Sequence, residues 1–222
     1  MRIFLVILMV IGISTPTFAL DQQELDERIR KLTNKFEAMQ HKPDKKIPAD
    51  DLSKAQGIIL LERTKAGFIF AFEGGGGLAM VRDPKSQKWS APAFLNANEA
   101  SLGFQVGGQQ SFIVILLMST NATRVLTHGD IELGGEARGT AGNSSAGAEG
   151  RTGSQPSIRV YDDRQGLYGG AALKGGSLSA NDDANNTYYR EYAPLEQILF
   201  KRKFKPSGAA AQLIEKLQQN AK

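Results

Sequence analysis

The sequence predicts an α+β fold: an antiparallel, barrel-like β core with short helices between strands and amphipathic helices at both ends. Two observations carry this. Between Ile58 and Leu173 short apolar runs are cut by glycines, the pattern of strands and turns. The longer stretches with apolar residues at helical spacing lie toward the two ends of the chain. There is no cysteine, so disulfides are excluded and an ordinary core must hold the fold.

The first element is an export signal by composition. Arg2 supplies a positive charge, Ile3–Ile13 is apolar apart from Gly12, and Thr17-Phe18-Ala19 offers small residues to a peptidase after the breakers Thr15 and Pro16. The apolar run is about half the ~20 residues needed to span a bilayer. Residues 1–19 therefore read as a secretory signal peptide, and the expected location is periplasmic or secreted. Cleavage leaves 222 − 19 = 203 residues and, without Arg2, a formal charge of +3 in place of +4. That length suits one domain. So small an excess of base argues against nucleic acid as a partner, and favours an anionic partner only where the cations cluster.

Residues 20–46 form an amphipathic helix and a linker. In Asp21–Gln40, Leu25, Ile29, Leu32, Phe36 and Met39 recur at spacings of three and four. Acids lead and bases follow, which complements the helix dipole. Residues 47–200 form the main domain. Ile47–Gln56 is expected as a short helix with Pro48 in its first turn and Gly57 as its stop. Phe68, Phe70 and Phe72 share one face of a strand whose other face is also apolar. Further strands are expected at Leu78–Arg82, Leu102–Val106, Phe112–Met118, Ile131–Leu133, Ser157–Tyr161 and Leu167–Leu173. Asn121–His128 reads as a short helix capped by Asn121, and Gly134–Gln155 as a loop or weak hairpin. Residues 201–222 hold the densest basic run, Lys201-Arg202-Lys203-Phe204-Lys205, and a last helix over Ser207–Gln219; a short helix over Pro194–Phe200 precedes them.

The patterns of catalysis are missing. His41 and His128 have no partners at metal-ligand spacing, and no G-x-S-x-G elbow occurs. Asp162-Asp163 and Asp182-Asp183 read as turn residues, since adjacent strand side chains point to opposite faces. Gly74–Gly77 lacks the Gly-Lys-Ser/Thr of a phosphate loop and reads as a tight turn. No catalytic residue, metal site or cofactor is expected. A membrane-spanning β-barrel needs many strands of ~10 alternating residues, longer than these runs.

Several blocks in order resemble a SYLF domain over residues 47–200. They are Ala55-Gln56-Gly57-Ile58-Ile59-Leu60, Lys65-Ala66-Gly67-Phe68-Ile69-Phe70, Trp89-Ser90-Ala91-Pro92-Ala93, Leu102-Gly103-Phe104-Gln105-Val106-Gly107-Gly108, Gly166-Leu167-Tyr168-Gly169-Gly170 and Asp183-Ala184-Asn185 through Tyr188-Tyr189. The first departs from the family's usual Ala-Lys-Gly. This lipid-binding domain occurs in eukaryotic endocytic proteins, some of which bind actin, and in exported bacterial proteins. The resemblance implies a non-catalytic domain that binds anionic lipid head groups. The export signal argues against cytoplasmic ligands, so actin is not expected and the expected partner is an anionic phospholipid membrane surface.

Two basic regions are the candidate contacts. One is Arg28, Lys31 and Lys35 beside the Leu25–Met39 stripe, which could dock on the core or sink into head groups. The other is Lys201, Arg202, Lys203 and Lys205 around Phe204. If the stripe is buried against the strands, the carboxy-terminal run becomes the leading contact. The other reading of both regions is an envelope scaffold that meets an acidic protein or polymer. Oligomeric state is left open.

Overall fold

The computed structural model describes residues 21–66, 72–98, 110–127, 130–133, 158–163, 166–168, 176–206 and 208–222. The strands are β1 (Gly57–Ala66), β2 (Phe72–Val81), β3 (Ala93–Asn98), β4 (Gln110–Leu117), β5 (Asp130–Leu133), β6 (Ile158–Asp162), β7 (Gly166–Tyr168) and β8 (Gly176–Ala180). They form one antiparallel sheet in the order β5-β8-β3-β2-β1-β4-β6-β7. The expected α+β architecture with an antiparallel core is present. The sheet is open, with β5 and β7 at its edges, rather than closed into a barrel.

Period-two alternation makes both faces of the central strands apolar. Ile58 and Leu60 of β1 point to one face with Leu78 and Met80 of β2. Ile59 and Leu61 point to the other with Ala79 and Val81. Helices α1 (Gln22–Gln40), α2 (Ala49–Lys54), α4 (Asp182–Tyr189) and α5 (Gly208–Asn220) cover the first face. Helix α3 (Thr120–Thr123), a 3-10 turn (Arg124–Thr127) and a π-helical turn (Glu196–Phe200) cover the second. The result is three layers around a doubly buried sheet.

Most expected elements are found with shifted ends. Asp21 is the N-cap of α1, accepting from the Glu24 N–H at 2.8 Å. The last helix buries Ala210, Leu213 and Leu217 as its spacing predicts, with Ile214 partly buried. Pro194–Phe200 closes as a π turn, in which the Lys201 N–H reaches back to the Glu196 carbonyl at 2.9 Å.

Five expectations are corrected. Gly74–Gly77 is not a turn but the interior of β2. A Cβ on Gly77 would fall 1.9 Å from the Leu60 carbonyl oxygen, so close backbone approach selects glycine there. Gly57 does not stop a helix; it opens β1, because the Gln56 N–H is already drawn onto Leu117 O at 2.8 Å. Ser119, not Asn121, caps α3 through Ala122 N–H at 3.1 Å. Asp182 and Asp183 are not turn residues but the first turn of α4, behind the N-cap Asn181. Of the pair Asp162-Asp163, Asp162 is not a turn residue but the buried end of β6, while Asp163 lies in the turn as expected and accepts from the Phe112 N–H at 3.1 Å. Strands β1, β3 and β8 were not among the expected strands. The expected strand residues Phe68 and Phe70, the strand Leu102–Val106, the later part of Leu167–Leu173, the loop Gly134–Gln155, His128 and the signal segment Met1–Ala19 lie outside the described residues.

Candidate functional site

The apolar stripe of α1 is docked. Leu25, Ile29, Leu32, Phe36 and Met39 are all at most 1 % exposed, in one cluster with Leu60, Leu78 and Phe112. Burial of each side chain contributes about 1.5–3 kcal/mol, whereas a cation near an anionic surface gains about 1 kcal/mol. Three cations cannot peel off five buried apolar side chains, and lifting α1 would uncover the cluster beneath. The helix is structural, and only its polar sides are available for contact.

One polar side carries a convergence. Lys31 and Lys35 place their ammonium groups 2.8 and 3.2 Å from the two oxygens of Glu62. Glu62 follows Ile58 and Leu60 on the α1 face of β1, and its side chain is 14 % exposed. Its cross-strand partner is Gly76. Arg28 lies over that glycine: a Cβ on Gly76 would fall 1.9 Å from Arg28 Nη2. The missing side chain in β2 is what admits the guanidinium. Burial lowers the Arg28 pKa from its ordinary value, and the charges of Glu62 and Glu24 oppose that. For Glu62, burial would raise the pKa, but hydrogen bonds and charge from Lys31 and Lys35 outweigh it, so the net direction is down. Beside this cluster the outer face of α1 has a shallow open depression lined by Glu27, Arg30, Lys31, Asn34, Lys35 and Ala38.

The opposite side of α1 is used for packing. Tyr188 donates to Asp26 at 3.1 Å, and Lys216 of α5 pairs with Glu37 at 2.7 Å. Burial, reinforced by Asp26, pushes the Tyr188 pKa up.

The Lys201–Lys205 segment is built differently. Lys201 pairs with Glu196 at 3.2 Å, and Lys203 with Glu191. Arg202 takes a left-handed backbone, φ 53°, and turns its guanidinium back onto the end of β2. It donates to Lys88 O at 2.9 Å and Val81 O at 3.3 Å and lies 3.5 Å from Asp83. That residue fastens the segment and is a poor surface contact. Phe204 stacks on Tyr189 with centroids 4.1 Å apart, and Lys203 lies 5.3 Å over the Phe204 ring. Lys205 is exposed. Beside them stands Tyr192, 70 % exposed and next to the Glu191 that holds Lys203.

Sequence reasoning missed Glu62, Gly76 and Tyr192. The signal for Glu62 was present: it continues the parity of Ile58 and Leu60, so it puts a charge on a face that is otherwise buried. Within the described parts of the sequence blocks singled out above, Trp89, Asn185 and Tyr189 serve architecture. Asn185 accepts from the Phe94 N–H at 2.7 Å and donates to Phe94 O at 3.1 Å. Tyr189 donates to Pro92 O at 2.5 Å, and Arg82 sits 4.6 Å over Trp89. His41 caps the end of α1, its Nδ1 2.7 Å from Glu37 O. Among the described residues no group of His, Asp and Glu could hold a metal ion. Among the same residues no helix is long and apolar enough to cross a membrane.

The sequence model of the Ysc84 family, described as "Las17-binding protein actin regulator", matches residues 98–220. The SH3 domain-containing YSC84-like protein 1 of Xenopus laevis is 33 % identical over 171 residues, covering 75 % of this chain and 51 % of that protein. The human protein of the same name is 32 % identical over 170 residues, 75 % of this chain and 49 % of its own length. LAS seventeen-binding protein 3 of Saccharomyces cerevisiae is 29 % identical over 183 residues, 80 % of this chain and 39 % of its own. The chain thus spans about half the length, or less, of these relatives. No solved structure matches it. With the family match over more than half of its length and relatives more than 30 % identical over three quarters of it, this chain belongs to the Ysc84 (SYLF) family.

Proposed function

We propose that this chain is a non-catalytic protein of the cell envelope that binds anionic phospholipid head groups at a membrane surface with its folded body intact. The observation that supports the reading is a set of exposed side chains close along the chain, Lys201, Lys203 and Lys205 with Phe204 stacked on Tyr189 among them, and Tyr192 one residue past the Glu191 that pairs with Lys203. An amphipathic ring set among cations is the side-chain chemistry that favours the head-group layer. Lys31 and Lys35 add a second cationic patch on α1. The signal-like composition of Met1–Ala19 supports an envelope membrane as the target, and argues against carrying over the actin role that the family's description prints.

Sedimentation with vesicles tests this. The purified protein is expected to pellet with phosphatidylcholine vesicles containing phosphatidylglycerol and to stay in solution with phosphatidylcholine alone. Each lysine near the surface is worth about 1 kcal/mol, so K201E/K203E/K205E should lower the affinity by at least about a hundredfold at low salt. Arg202 is left in place because it holds the fold. Equal binding to both vesicle types, or none to either, sinks the reading. Capture by an acidic protein that survives detergent would favour the scaffold alternative.

A further inference from the structure

We propose that the turn between β2 and β3 is a second part of the surface contact: its Lys85 and Lys88 join Lys201, Lys203 and Lys205 on one composite face, because Arg202 fastens the two segments together. The inference rests on the surface-binding reading above and deepens it, from one basic run to a face assembled from two distant parts of the chain. The first ground is the fastening. Arg202 lies 114 residues from Lys88 along the chain, yet it donates to the Lys88 carbonyl at 2.9 Å and to the Val81 carbonyl at 3.3 Å, with Asp83 3.5 Å away. It does so from a left-handed backbone, φ 53°, a region sparsely populated by residues other than glycine. Its contacts reach both ends of the turn, so turn and segment are held as one body.

The second ground is the build of the turn. Asp83 accepts from the Lys85 N–H at 3.1 Å and the Ser86 N–H at 2.6 Å. The Gln87 N–H returns to the Asp83 carbonyl at 2.9 Å, and the Asp83 N–H to the Lys88 carbonyl at 2.9 Å. Gln87 is also left-handed, φ 56°, and its side-chain amide donates to the Pro84 carbonyl at 2.9 Å. At the base Trp89 is buried, with Arg82 4.6 Å over its ring. None of these bonds uses the ammonium group of Lys85 or Lys88, and both residues are exposed. The turn is thus fixed in shape while its two lysines face solvent.

The third ground is charge. The acids that meet this face are Asp83 at Arg202, Glu191 at Lys203 and Glu196 at Lys201. Among the described residues no acid lies within ion-pair distance of Lys85, Lys88 or Lys205. At the neighbouring end of α2, which Arg82 touches through the Ser53 carbonyl, Lys54 and Asp50 pair with each other. A cation near an anionic surface is worth about 1 kcal/mol, and cations fixed relative to one another bind as one multivalent unit.

Vesicle sedimentation of the purified protein tests this. With phosphatidylcholine vesicles containing phosphatidylglycerol, K85Q/K88Q should lower the affinity about 25-fold at low salt, at about fivefold per lysine, and flatten its salt dependence. K45Q/K46Q removes the same charge from the loop after α1, which Lys42 ties to Asp163 at the end of β6 away from the Val81–Gly57–Leu117–Ile158 row. It should change the affinity less than about threefold. The chain has no cysteine, so Ser86→Cys gives a single attachment point for an environment-sensitive fluorophore. Its emission should shift to the blue with these vesicles and stay unchanged with phosphatidylcholine alone. A label at Gln212→Cys, on the exposed side of α5, should shift with neither. Melting curves matching wild type confirm that the glutamine variants are folded, and the Ser86 label reads the contact without removing a charge. The turn is overturned if K85Q/K88Q binds no more weakly than K45Q/K46Q, or if the Ser86 label does not shift while the protein pellets. Either result leaves the membrane reading standing on the carboxy-terminal segment. Weak binding by K85Q/K88Q with none lost in K201E/K203E/K205E overturns the composite face. Absence of vesicle binding by the wild type overturns both the turn and the membrane reading.

Discussion

Helix α1 and the Lys201–Lys205 segment are two cationic regions built in opposite ways. In α1 Lys31 and Lys35 converge on one carboxylate with Arg28 over the neighbouring Gly76, and the helix that carries them is nailed down by its apolar side. In Lys201–Lys205 the charges are distributed: Lys201 has Glu196, Arg202 has Asp83 and two carbonyls, and Lys203 has Glu191. The segment is denser in base along the chain, yet each of Lys201, Arg202 and Lys203 meets its own acid, whereas two lysines of α1 share one. Charge density in sequence and charge density in space are separate quantities, and a surface ligand responds to the second. The carboxy-terminal segment offers something α1 lacks, namely aromatic rings among its lysines.

The largest expected effect tests the claim that α1 is fastened. Phe36 is fully buried, so Phe36→Ala should destabilise the fold by about 3–5 kcal/mol in denaturant unfolding. A loss below about 1 kcal/mol would mean that α1 is loosely held and free to serve as a membrane anchor. The next effect separates two neighbours in the basic run. Arg202→Ala removes the guanidinium that ties the segment to the Lys88 and Val81 carbonyls and to Asp83, all of which keep backbone donors, and should cost about 1–3 kcal/mol. Lys201→Ala breaks only an exposed pair and should shift the melting temperature by less than about 2 °C. Equal effects would show that the run is uniform and that Arg202 is as free for contact as its neighbours.

The smallest effect is in pH. Glu62 has a folded pKa below its ordinary 4.5, so its contribution is fully present above that value and is lost as pH falls through the lower, folded one. Stability of the wild type should therefore fall more steeply below about pH 4.5 than that of Glu62→Gln, with parallel curves from pH 5 to 7. Parallel curves throughout would show that Lys31 and Lys35 do not stabilise the ionised carboxylate.

Much of the fold was legible because its causes are local. The α1 stripe and the apolar runs of β4 and β6 follow from periodicity. What failed depended on distant partners. Gly76 and Gly77 look like a turn until Arg28 and the Leu60 carbonyl are placed against them. Helix α4 was hidden because its stability comes from Asn185 and Tyr188 gripping Phe94 and Asp26 rather than from an apolar stripe. Of the site, the cations were legible and their counter-ions were not. Glu62 and Asp83 lie far along the chain from the bases they meet, and only the fold brings them there, while Glu191 is 12 residues from Lys203.

The claim at the centre of this account is that an anionic membrane is met by side chains on the surface of an intact body, not by the α1 stripe. Hydrogen exchange of the α1 amides, with the protein free and bound to phosphatidylglycerol-containing vesicles, tests it most directly. The account predicts equally slow exchange across Leu25–Met39 in both states, because the helix stays docked on the sheet. Faster exchange there in the bound state, or loss of protection in the β1–β2 strands beneath it, would contradict the account and show that the helix leaves the core to enter the membrane.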